Sequence, residues 1–202
     1  MAYTDFTFAD LREKFGLKYD EKQFFKQINP IQPSDFLLQQ LDVANEFGLR
    51  TEKMKSEYLV VPVLTFVKQQ NRDYVQLFSG ENLPADRKLK LNGEVDYIWV
   101  GKGKAPELEE PIISLCEAKK GSIEDSLAQC AAKMYGARVF NQKNHSPIVD
   151  IFGCVTSGVE WRFMKLEGQT IWKDTQIYSL ANLPELLGVW QIVIDFFKDN
   201  NR

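Results

Sequence analysis

The chain is short of the residues that build most metal and redox centres. Its 202 residues include one histidine, His145, and three cysteines, Cys116, Cys130 and Cys154, with no C-x-x-C pair. That argues against a zinc site. The cysteines are odd in number, widely spaced and set among apolar or small residues, so they read as free buried thiols in a reducing compartment, the cytoplasm. Uninterrupted apolar runs are also missing. Those around residues 58–67 and 186–197 are broken by Pro62, Gln191 and Asp195, short of what a bilayer requires, so no membrane is expected. Residues 1–10 carry two acids and no apolar centre, unlike a signal peptide. A net charge of −3 and a pI of about 5.4 argue against a surface that wraps nucleic acid throughout, though a local basic patch is compatible with them.

What is present fits one globular domain, with 1–33 as an N-terminal arm and 34–202 as the core. The arm alternates aromatic and charged residues and reads as short helical or extended pieces packed over that core. Ser34 offers an N-cap to a helix ending before Gly48. A second helix is expected over 51–70, kinked at Pro62. Strands follow at 74–79, 90–100 and 112–119, and then a helix over 122–141 whose start, Ser122 with Asp125, resembles a capping box. Strands at 148–156 and 161–166, a shorter one near 171–172 and a helix over 183–197 complete the order. The pattern predicts an α/β fold with a mixed central sheet flanked by helices.

One stretch, 91–121, stands out because acids occupy strands that are otherwise apolar. Asp96 lies in the first strand, and Glu117 and Lys119 close the second. Residues i and i+2 of a strand share a face, so Glu117 and Lys119 are expected to point the same way, beside Ile113 and Leu115. A hairpin symmetrical about loop 102–111 sets Asp96 opposite Glu117. Opposed like charges destabilise a sheet unless a cation lies between them, and a divalent metal is the natural candidate.

Asp96, then Glu117-Ala118-Lys119 at a strand end, then a helix carrying Gln129, resembles the PD-(D/E)XK nuclease superfamily, whose fold is the restriction-endonuclease-like core. The likeness covers roughly residues 56–166, and segments such as LNGEVDY, CEAKK and AQCAAKMYGARVFN resemble a bacterial branch of it. It departs where Val95, rather than proline, precedes Asp96. The resemblance implies a metal-dependent phosphodiester hydrolase acting on nucleic acid, DNA in preference to RNA, and a homodimer if it makes double-strand cuts. Asp96, Glu117 and the Ala118 carbonyl would bind Mg²⁺ or Mn²⁺, with Glu57 as an outer carboxylate. Lys119 would be the catalytic lysine, and Gln129 would position that lysine or the nucleotide.

Magnesium chemistry suits these residues, since the ion takes oxygen ligands and keeps several waters. Lys120 and Lys90, in a sequence cluster with Lys88, Lys102, Lys104 and Lys119, and Arg138 on the following helix are candidates for phosphate contact. Two other readings use the same residues. One is a catalytically inactive relative that binds or assembles. The other is an interaction domain in which the acids form a solvated strand face and the lysines guard an edge.

Overall fold

The computed structural model describes residues 3–103, 108–109, 111–119 and 123–200. Lys104, Lys120 and the Ser122 half of the expected capping box lie outside them.

Helix α1 (Phe8–Phe15) begins on a capping box in which Thr7 and Asp10 satisfy each other's exposed backbone donors, and ends at Gly16, left-handed at φ +68°. Strand β1 (Lys18–Glu21) follows directly and pairs in parallel with β7 (Thr170–Lys173). The stretch expected as an arm therefore forms one edge of the sheet. Its alternation is too short and too exposed to separate strand from loop by pattern alone.

Ser34 caps α2 (Asp35–Asn45), accepting from the Leu37 amide. The expected second helix is continuous as α3 (Glu52–Lys55), a π turn (Ser56–Val60) and α4 (Val61–Gln70). A π turn immediately precedes Pro62, the residue at which the kink is expected. Proline lacks an N–H and its ring crowds the carbonyl four residues back. Here the Val61 amide already reaches five residues back to Ser56, widening the helix just before the ring enters.

Strands β2 (Val75–Asn82), β3 (Glu94–Gly101), β4 (Ile112–Ala118), β5 (Ile151–Thr156) and β6 (Glu160–Glu167) join β7 and β1 in the order β1-β7-β6-β5-β4-β3-β2, with β8 (Tyr178–Ser179) also on β6. The β4/β5 and β1/β7 pairs are parallel and the others antiparallel. The mixed sheet flanked by helices is thus as the element order led one to expect. Two strands start later than expected. Lys90 cannot belong to β3 because it sits at φ +63° in a turn closed by Asp86, whose carboxylate accepts the Lys88 and Leu89 amides. Ile148 cannot belong to β5 because its carbonyl accepts from the Asn141 side chain.

Helix α5 (Ile123–Lys143) is the crossover between β4 and β5 and covers one face with α1, packing Leu127, Ala131 and Met134 on Leu115, Val155 and Met164. It lies close because Gly153 and Gly136 leave room where a Cβ would collide with Met134 and Tyr3. Helices α2, α4 and α6 (Leu183–Asn200) cover the other face. There Trp190 of α6 meets Trp99, Trp161 and Phe163 at ring separations of 5.7, 6.1 and 5.2 Å. By length and composition, the stretch Leu180–Asn200 could cross a bilayer. Its apolar side, with Leu186, Val189, Trp190, Val193 and Ile194, is buried on this sheet.

Candidate active site

Strands β3 and β4 are in register at Tyr97 and Cys116, and one further step along the antiparallel ladder sets Asp96 opposite Glu117. The route to that register differs from the symmetrical hairpin. The Gly101 amide meets the Pro111 carbonyl and Val100 pairs with Ile112, a frame in which Asp96 would face Cys116. A bulge at Ile113 adds one residue to β4 and advances the pairing to Glu117. The bulge also corrects the face assignment. Ile113 joins the core under α4 and α6, whereas Leu115 packs toward α5.

The two strands part at the acids. The Asp96 carboxylate accepts the Ala118 amide at 2.8 Å, taking the place of a backbone acceptor in the ladder. The Lys119 amide donates to the Thr156 carbonyl on β5. Backbone groups alternate direction along a strand, so the Ala118 carbonyl lies on the same side as its N–H, toward Asp96.

Glu117 points toward α5 and is 1% exposed. Its Oε2 accepts from Lys133 Nζ at 2.5 Å and lies 3.5 Å from Lys119 Nζ. Its Oε1 accepts no hydrogen bond from the described residues. Burial raises the Glu117 pKa above the usual carboxylate value, against the pull of Lys133, and Asp96 adds to the rise. For Lys119, burial works to lower the pKa, but the charges of Glu117 and Asp96 outweigh it and hold it above the usual lysine value.

Asp96 and Ala118 line a hollow of about 430 Å³ together with Glu52, Ser56, Glu57, Gly80, Glu94 and Tyr97. The π turn stands across it, and Ser56 Oγ lies 2.5 Å from the Tyr97 hydroxyl, tying that turn to β3. Glu57 is therefore on the same hollow as Asp96, but it is 53% exposed and paired with Lys53 at 3.8 Å. A larger hollow, about 620 Å³, lies against α1 and β1 and contains none of these acids.

The fold thus gathers Asp96, Glu117, Ala118 and Lys119, with Glu57 across the hollow and Gln129 part-buried on α5, one turn before Lys133. Of the expected phosphate contacts, Arg138 and Lys90 lie elsewhere, while Lys120 is outside the described residues. Arg138 is a structural clamp. Its side chain is 7% exposed and donates to the carbonyls of Val149, Gly168 and Leu166, which leaves it no face for a nucleic acid. Lys90 is exposed on the segment that Lys143 ties to the C-terminal end of α5, next to Phe6, Lys14 and Phe15. Lys133 is the residue the sequence reading missed. Its signal was a single charge among Ala131, Ala132 and Met134 on a stripe of small and apolar residues.

Among the described residues no group of three or more His, Cys, Asp and Glu side chains could hold a metal ion. The donors on offer are two carboxylates and a backbone carbonyl. That set suits magnesium or manganese, which complete their shells with water and substrate oxygens. The Glu117 Oε1, unpartnered among the described residues, fits the same role, since a buried oxygen without a partner is costly. No family model, no curated protein and no solved structure matches this chain.

Proposed function

We propose that this protein is a divalent-metal-dependent phosphodiester hydrolase acting on nucleic acid, DNA in preference to RNA, on a restriction-endonuclease-like core. The observation that carries the reading is the opposition of Asp96 and Glu117 where β3 and β4 part, with Glu117 Oε1 unpartnered among the described residues and Lys119 alongside. Asp96, Glu117 and the Ala118 carbonyl would hold Mg²⁺ or Mn²⁺, and Glu57 would reach it through water. Such an ion supplies Lewis-acid stabilisation of the phosphate and a more acidic bound water.

The chain's own groups do the rest. Lys119 is 22% exposed, enough to meet a phosphate oxygen from the strand end. From there it can orient or help deprotonate a bound water, or neutralise the charge that develops on the phosphate. Gln129 can donate and accept without adding charge.

The test is cleavage of plasmid, single-stranded DNA and RNA by purified protein with Mg²⁺ or Mn²⁺. Asp96→Ala and Lys119→Ala should each abolish it, and no cleavage of any substrate by the wild type would overturn the proposal. A second reading, a non-catalytic binding or assembly module, is favoured by one observation: Lys133 already balances the Glu117 charge without a metal. Calorimetry separates the two, because the module has no need to bind Mg²⁺ or Mn²⁺ at millimolar concentration.

A further inference from the structure

Lys133 sits mid-way along α5, between Ala132 and Met134, with Cys130 and Ala137 a turn to either side, all fully buried. An ammonium in such surroundings costs several kcal/mol unless it is paired. Helical side chains leave the backbone toward the helix N-terminus. That direction carries the Lys133 ammonium to the end of β4, where it meets Glu117 Oε2 at 2.5 Å.

Lys119 approaches the same oxygen from the strand end, at 3.5 Å and with more exposure. One oxygen of Glu117 is therefore claimed twice, and the other is not claimed by any described residue. The two lysines are not equivalent. Lys133 is anchored on a buried helix that packs on the sheet through Gly153. Lys119 lies just beyond β4, part-exposed.

The geometry points to Lys133 as a positioning residue for Glu117. It clamps Oε2 from the helix side, so that Oε1 is the atom presented to a divalent ion, and it leaves Lys119 free to turn toward a phosphate. This rests on the metal-dependent reading above. A lysine present only to neutralise a buried acid would leave the choice of oxygen open.

Manganese binding measured by calorimetry, with thermal unfolding of the metal-free proteins as the control for folding, tests the assignment. Lys133→Met should weaken Mn²⁺ binding by about tenfold or more, and Lys133→Arg, which keeps a charged donor, should recover most of it. Lys119→Met should change Mn²⁺ binding by less than about threefold while still losing cleavage. A folded Lys133→Met protein that binds Mn²⁺ as tightly as the wild type, or more tightly, overturns the positioning role and leaves the metal-dependent reading standing. A wild type that binds no Mn²⁺ at millimolar concentration overturns both.

Methionine leaves the Glu117 charge without its partner, so a second measurement uses the wild type. In crystals soaked with Mn²⁺, anomalous density within bonding distance of Oε1, with Lys133 still on Oε2, is the expected result. Density bound through Oε2 with Lys133 displaced overturns the proposal.

Discussion

Lys133 Nζ and Glu117 Oε2 lie 2.5 Å apart with side chains 6% and 1% exposed, an ion pair sealed between α5 and the end of β4. Breaking one partner of such a pair costs roughly 3–5 kcal/mol, whereas replacing both by neutral groups of similar volume is often close to neutral. Lys133→Met should therefore lower stability by about 3 kcal/mol or more, and adding Glu117→Gln to it should restore much of the loss. Urea denaturation of the two single variants and the double variant checks this. Simple additivity would mean that the charges are not coupled.

A different outcome is expected at Asp96, whose Oδ2 serves the Ala118 amide. Asp96→Asn keeps an acceptor for that amide, so its melting temperature should stay close to the wild type. Asp96→Ala leaves the amide unpaired where the strands part and should cost about 1–3 kcal/mol. Both should lose cleavage, since neither keeps the charge. If Asp96→Asn cleaves at the wild-type rate, the carboxylate has no part in the chemistry.

Much of this arrangement was legible in the residues, though not always for the right reason. The opposition of Asp96 and Glu117 followed from assuming a symmetrical hairpin. The hairpin is asymmetric, and the bulge at Ile113 compensates for the offset between Gly101 and Pro111. A bulge at an apolar residue leaves no mark in the pattern, because Ile113 suits either face. Elements with strong local chemistry, such as the Ser34 cap and the apolar run of α6, were legible because their causes are local. Lys133 and Arg138 were not. Both are long cations on α5, and whether one pairs with a buried acid or ties down loop carbonyls depends on strands from other parts of the chain.

Arg138 supplies a prediction that separates clamp from nucleic-acid contact. Its three carbonyl partners hold the segment after α5 and the β6–β7 turn to the helix. Lysine cannot reproduce that fork, so Arg138→Lys should lower stability by about 2 kcal/mol or more. Affinity of the folded protein for DNA, measured by titration at fixed salt, should not change. A contact residue would show the reverse: little change in stability and weaker binding at low salt.

The N-terminal capping box gives a pH dependence whose sign is fixed. Asp10 is held well below the usual carboxylate value by its hydrogen bond to the Lys14 ammonium and by those from the Thr7 hydroxyl and amide. A carboxylate depressed in the folded state contributes stability above its unfolded pKa and loses it as pH falls through the folded value. Asp10→Asn should therefore be less stable than the wild type at neutral pH. The gap should narrow below about pH 4, as the unfolded chain takes up its proton and the wild type loses its advantage. Thermal unfolding of both proteins between neutral and strongly acidic pH measures the difference. A gap that stays constant over the whole range would mean that the Asp10 charge contributes nothing to the cap.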